Sequence, residues 1–280
     1  MKELEGRTAI VTGASRGIGP QIARALGREG MNIVLVARSA AGLEQVAAEL
    51  GSAGQHAIAM PADLSDHSTL DRIVEATEEQ FGAVDLLVNN AGITATRRFE
   101  TSSDEETAQI IDVNLTAGIL LTKRVLPAML DRGRGHVVMI ASLAGKVGSP
   151  YESVYAASKA GQIAFVQSLR EELHGSGVGA SVVCPGFVVE SGMWADAGIS
   201  QGIRQPRLAG ATTPGAVASA VVHAVQRDSA EVYVNRPPMR PMLVLGELSP
   251  RFRSWVLRRI GVPQTFRKVV ERAESEARSE

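Results

Sequence analysis

The chain has 280 residues, with 29 Lys and Arg against 30 Asp and Glu and a formal net charge of −1. That balance leaves no basic footprint for a nucleic acid, and the length suits one large α/β domain with a full core. A single cysteine, Cys184, excludes an intrachain disulfide, so a reducing cytoplasm is the expected compartment.

Residues 7–12 (RTAIVT) are β-branched and apolar, as in a buried strand. Glycines follow at 13, 17 and 19, and a helix is predicted over 16–28. Glycine lets the backbone turn sharply and lets a pyrophosphate approach without hindrance from Cβ. The helix start adds free N–H groups and the positive end of its dipole. The loop Gly13, Ser15, Arg16, Gly17, Ile18 and Gly19 is therefore the candidate dinucleotide cradle, although its spacing is G-x-x-x-G-x-G rather than G-x-G-x-x-G. Pro20 suits the first helical turn.

A second strand, 32–36, ends in Ala37 and Arg38, where an acidic residue would hold the ribose 2′-hydroxyl of NAD. Arg16 and Arg38 instead suit a 2′-phosphate, which favours NADP(H) over NAD(H). A helix over 41–50 and a third strand, 56–60, lead to Asp63 and Leu64, where a carboxylate could accept from the adenine amino group. After a helix at 68–81, a fourth strand, 84–88, runs into Asn89, Asn90, Ala91 and Gly92, small residues suited to a cofactor lying across the sheet edge. A long helix is predicted over 104–131. The strand 137–140 precedes Ser142, and a helix over 153–174 carries Tyr155 and Lys159, four residues apart on one face.

Those last residues can carry a proton. Tyrosine is a poor acid–base group at its free pKa of ~10, and a nearby ammonium should bring it toward working pH. Ser142 offers a hydroxyl to hold a substrate oxygen. A dinucleotide loop followed by Ser, Tyr and Lys points to a nicotinamide-dependent carbonyl reductase or alcohol dehydrogenase. A catalytically idle nucleotide-binding sensor or scaffold is the alternative from another class.

Beyond Cys184 come Pro185, Gly186 and a glycine-rich stretch, 187–208, expected to lie over the site as a lid. Its apolar residues, with Leu143, Val147 and Tyr151 as pocket wall, suggest an apolar substrate. A helix at 214–227 and a strand at 231–234 complete the alternation. The five histidines lack metal-ligand spacing, so no metal is expected in the reaction. The charged N-terminus leaves no room for a signal peptide, and no membrane-spanning helix is expected.

The segments Thr12–Gly19, Asp63–Leu64, Asn89–Gly92, Asn114, Ser142, Tyr155, Lys159 and Pro185–Gly186 together resemble the short-chain dehydrogenase/reductase family in its non-extended branch, of the 3-oxoacyl-carrier-protein reductase and hydroxysteroid dehydrogenase kind. The resemblance implies a Rossmann-type, doubly wound parallel sheet of seven strands with helices on both faces. It also implies that Asn90 and Gly92 line the adenosine and nicotinamide-ribose side, that Pro185 and Gly186 lie by the nicotinamide, and that Asn114 positions a water in a relay to Lys159. Gln162, seven residues after Tyr155, is not the lysine of the enoyl-reductase variant. The family often has a threonine where this chain has Glu190, with Ser191 as a substitute. A homodimer or homotetramer is implied, and small residues at 104–131 and 153–174 (Ala117, Gly118, Ala160, Gly161 and Ala164) suit packing against a symmetric copy.

Residues 1–235 are read as the oxidoreductase domain and 236–280 as a helical extension. From 236 to 268 there are eight Arg or Lys and one acid, Glu247. Phe252, Trp255, Val256 and Ile260 form an apolar stripe beside arginines, and Gly261-Val262-Pro263 is expected to break the helix. Such a stripe suits packing on this or a neighbouring subunit, or contact with an anionic membrane through 250–270.

Overall fold

The first strand, β1 (Thr8–Thr12), is buried at every position. It pairs in parallel with β2 (Asn32–Ala37) on one side and β4 (Leu86–Asn89) on the other. A strand buried on both faces needs a continuous apolar run, which Ala9-Ile10-Val11 supplies. Outward lie β3 (Ala57–Pro61) beside β2, and then β5 (Gly135–Ile140), β6 (Val178–Pro185) and β7 (Glu231–Val234) beyond β4. The seven-stranded sheet has the order β3-β2-β1-β4-β5-β6-β7, and every pairing is parallel. The order reverses between β1 and β4, which opens a crevice at the strands' carboxyl ends. The structure is a computed structural model describing residues 1–198, 200 and 202–277.

Helices cover both faces. α1 (Ile18–Arg28), α2 (Ala40–Ser52) and α9 (Pro214–Arg227) close one core around Ile22, Leu26, Leu43 and Val221. α3 (Thr69–Phe81), α5 (Ala117–Asp131) and α7 (Ser153–Glu172) close the other around Ile73, Leu121, Val125 and Val166. α4 (Asp104–Ile111) continues through a π-helical turn, Asp112–Thr116, into α5. By length and composition this 28-residue stretch could cross a bilayer, contrary to the sequence expectation. Its apolar stripe of Ala117, Leu121, Val125 and Met129 is instead buried in the core.

α6 (Ala144–Val147) is a single turn after β5, and α8 (Met193–Ala197) forms within the expected lid. Ile199 and Gln201 of that stretch lie outside the described residues. The extension forms α10 (Arg240–Leu248), α11 (Pro250–Ile260) and α12 (Val262–Ala277). Gly261 caps α11 at φ +89°, and α12 starts at the next residue, so the expected break is a corner between two helices. Residues 278–280 lie outside the description.

Candidate active site

At the crevice, Gly13 and Gly17 adopt φ of +65° and +69°. A Cβ on Gly13 would stand 2.8 Å from Ala91 Cα, and one on Gly19 would collide with the Gly13 carbonyl oxygen. α1 begins directly after Gly17 with no side-chain cap, so its first N–H groups remain available. Thr12 and Asn90 tie this loop to β4: Thr12 Oγ1 accepts from the Asn90 and Ala91 amides, both at 3.0 Å. Asn90 Nδ2 donates to the Thr12 carbonyl at 2.9 Å and the Gly13 carbonyl at 3.2 Å. Asn90 thus braces the loop as well as lining the crevice.

One cleft of about 570 Å³ joins this loop to the chemical residues. Gly13, Ser15, Arg16, Gly17, Ile18, Arg38, Asp63, Leu64, Asn90 and Ala91 line it on the side of the glycine loop, and Gly92, beside Lys159 Nζ, leads to Ser142, Tyr155, Lys159, Pro185 and Gly186. Arg16 is held by Asp196 of α8 at 2.7 Å, bridging the glycine loop to the lid. Asp63 Oδ1 accepts from the Ser65 amide and hydroxyl at 3.0 and 2.8 Å, which hold its carboxyl below the usual range. Glu190 is exposed, whereas Ser191 lines the cleft. The glycine cradle and free helix start fit a dinucleotide phosphate.

At the other end, Ser142 and Tyr155 line the cleft together, and the Ser142 hydroxyl is placed to favour the phenolate. Lys159 is 3% exposed, with Nζ donating to the Ile140 carbonyl at 2.8 Å and to Gln162 Oε1 at 3.2 Å. Burial pushes its pKa down to about 8. Burial, and secondly the Glu152 carboxylate, push the Tyr155 phenol up, outweighing the opposite effect of the Ser142 hydroxyl. The expected lowering by Lys159 is not dominant: its ammonium lies 5.6 Å from the ring centroid and its protons go to Ile140 and Gln162.

Asn114 sits in the π-helical turn with its side chain locked. Nδ2 donates to the Ile93 carbonyl at 2.9 Å and Ser158 Oγ at 3.0 Å, while Oδ1 accepts from the Ile93 amide at 2.7 Å. Its main-chain carbonyl accepts from Gln162 Nε2 at 2.5 Å. Asn114 is therefore linked to Lys159 through the Gln162 carboxamide.

Gln162 and Glu152 escaped the sequence reading. Gln162 is a polar residue on the buried face of α7, a signal that could have been read. Glu152 lines the cleft, where Thr94, Thr96 and Ser149 donate to its carboxylate and burial raises its pKa. Tyr151 is not pocket wall. It adopts φ +63° and its hydroxyl accepts from Arg267 Nε of α12 at 3.3 Å. Leu143 and Val147 line the cleft as expected, and the rest of the apolar wall comes from Phe187 and Trp194 of the lid and Phe266, whose ring centroids lie 4.7–6.0 Å apart, with Leu257 and Ile260 of α11.

A cleft with a phosphate cradle at one end and proton-carrying hydroxyls at the other meets the needs of an oxidoreductase working with a dinucleotide, and that is the class this fold defines. Residues 7–201 match the short chain dehydrogenase family, and the chain belongs to it. It is 43% identical over 276 residues to the ketoacyl reductase HetN of Nostoc sp., covering 97% of this chain and 95% of that one. Among solved structures, a metagenomic short-chain oxidoreductase in complex with NADP superposes with a TM-score of 0.71 at 36% identity, over 83% of this chain and 98% of the other. A variant of actinorhodin polyketide ketoreductase with NADPH gives 0.77 at 32%, over 84% and 98%.

Proposed function

We propose that this chain interconverts a ketone and a secondary alcohol on an apolar small-molecule or acyl-chain substrate, using NADP(H), with Tyr155 as the proton donor. The observation that carries the reading is the convergence of Ser142, Tyr155 and buried Lys159 in the same cleft as the glycine cradle. Bound NADPH supplies the hydride that attacks the carbonyl carbon. Ser142 holds the carbonyl oxygen, and Tyr155 gives its proton to the alkoxide as it forms. A phenol whose pKa is raised keeps its proton until a base as strong as an alkoxide appears. Lys159, held by Ile140 and Gln162, places a cation where the phenolate left behind needs one.

Support for NADP(H) comes from Arg16 in the glycine loop and Arg38 just after β2, and from the cofactors in the two solved relatives. Support for an acyl substrate comes from the aromatic wall and from the ketoacyl reductase named among the relatives. Ala160 and Ala164, exposed on α7, suit a homodimer or homotetramer contact through that helix. The test combines titration with NADPH and NADH, followed by nicotinamide fluorescence, with turnover of a 3-oxoacyl thioester. Tyr155→Phe should bind NADPH as wild type does and lose turnover at least 1000-fold. Near-wild-type turnover would remove Tyr155 as the acid, and tighter binding of NADH would overturn the cofactor assignment.

A further inference from the structure

α11 has two working faces. Leu257 and Ile260 line the cleft, while Phe252 and Trp255 point outward, with ring centroids 6.0 Å apart. Val244, Leu245 and Leu248 of α10 are exposed as well, Leu248 by 79%. Five of the eight most exposed large apolar side chains among the described residues thus lie within 244–255. Arg251, Arg258 and Arg259 are exposed on α11 and make no ion pair among the described residues; Arg253 is paired with Glu247 at 3.7 Å.

We infer that the outer face of α10 and α11 docks on an anionic lipid surface, with Leu248, Phe252 and Trp255 in the headgroup layer and the arginines on lipid phosphates. Aromatic and aliphatic side chains beside unpaired arginines match what an amphipathic helix needs to lie in an anionic interface. A two-fold contact with a second copy fits less well, because a self-facing patch would bring the same unpaired arginines together. Lipid on one side of α11 and the cleft on the other would let a membrane-dissolved substrate enter around one helix. Lipid binding itself does not depend on the proposed reaction; only that use of it does.

Full-length protein is to be sedimented with vesicles of phosphatidylcholine alone and of phosphatidylcholine with phosphatidylglycerol, and its mass in solution measured in parallel. Binding is expected on the anionic vesicles only, declining with salt. Combining Arg251→Gln, Arg258→Gln and Arg259→Gln should weaken partitioning by on the order of 100-fold. Leu248→Ser with Phe252→Ser should weaken it comparably while turnover of a short soluble ketone stays unchanged. Equal sedimentation with both vesicle types, or undiminished binding by both variants, would overturn the inference. So would loss of an oligomer in the Leu248/Phe252 variant, which would make the patch a contact between copies. Because binding is read without catalysis, inactive protein that binds, or active protein that does not, separates this inference from the proposed function.

Discussion

Replacing Lys159 by methionine should stabilise the free protein at neutral pH and cease to do so in alkali. Methionine keeps most of the length and removes a charge that burial disfavours: the lysine pKa is 10.5 unfolded and about 8 folded. The unfolded chain therefore holds more protons between those values, so wild-type stability rises with pH across that window and the penalty is greatest below it. At 1.36 kcal/mol per pKa unit the full penalty is about 3 kcal/mol, and about 2 kcal/mol of it should vanish between pH 7 and pH 9.5. The bonds to Ile140 and Gln162 that methionine loses offset part of the gain at every pH. The quantity to read is therefore the change with pH of the difference between variant and wild type. Urea unfolding of both proteins at the two pH values supplies it, free of any contribution from Tyr155 that is common to both. Parallel pH–stability curves would refute the claim that Lys159 is held with a depressed pKa.

Four further outcomes follow from the geometry. Gln162→Leu removes both bonds of the carboxamide, and Gln162→Glu puts a carboxylate against Lys159 Nζ. The alkaline limb of the kcat profile should move in the first and rise in the second, whereas an unmoved limb in both would reduce Gln162 to packing. Gly19→Ala forces a Cβ against the Gly13 carbonyl and 2.8 Å from Ala14 Cα, and should cost about 1–3 kcal/mol in unfolding free energy and weaken NADPH binding at least ~10-fold by titration. Gly51→Ala near the end of α2 meets nothing within 4 Å and should be neutral or slightly stabilising. Phe266→Ala deletes a ring that is 4% exposed and packed on Phe187 and Trp194. Unfolding should show a loss of about 3–5 kcal/mol and kinetics a raised KM for long-chain substrates, while a short ketone is little affected.

The sheet was legible because β-branched runs such as 8–12 and 32–37 announce buried parallel strands, and the helix at 214–227 could be bounded from its Thr213 cap and Pro214 start. The glycine cradle and Ser142, Tyr155 and Lys159 were legible because each is tied to a local element, and the sheet brings those elements to one edge. The titration of Tyr155 was not legible, because burial and Glu152 outweigh its sequence neighbour. Nor was the cleft wall, since Phe266 meets Trp194 only through the fold of a segment 70 residues later. Tyr151 went wrong for the same reason, its partner being Arg267.

The roof that α11 and α12 lay over the cleft ties access to a segment largely beyond the family core. Leu257, Ile260, Val262 and Phe266 of these helices all line the cleft, and all lie beyond residues 7–201 that match the family. Single changes at the seam between Leu257, Ile260 and Trp194 would retune residence time without touching the proton-carrying groups. The shape of the cleft can therefore change at this corner while Ser142, Tyr155 and Lys159 stay as they are.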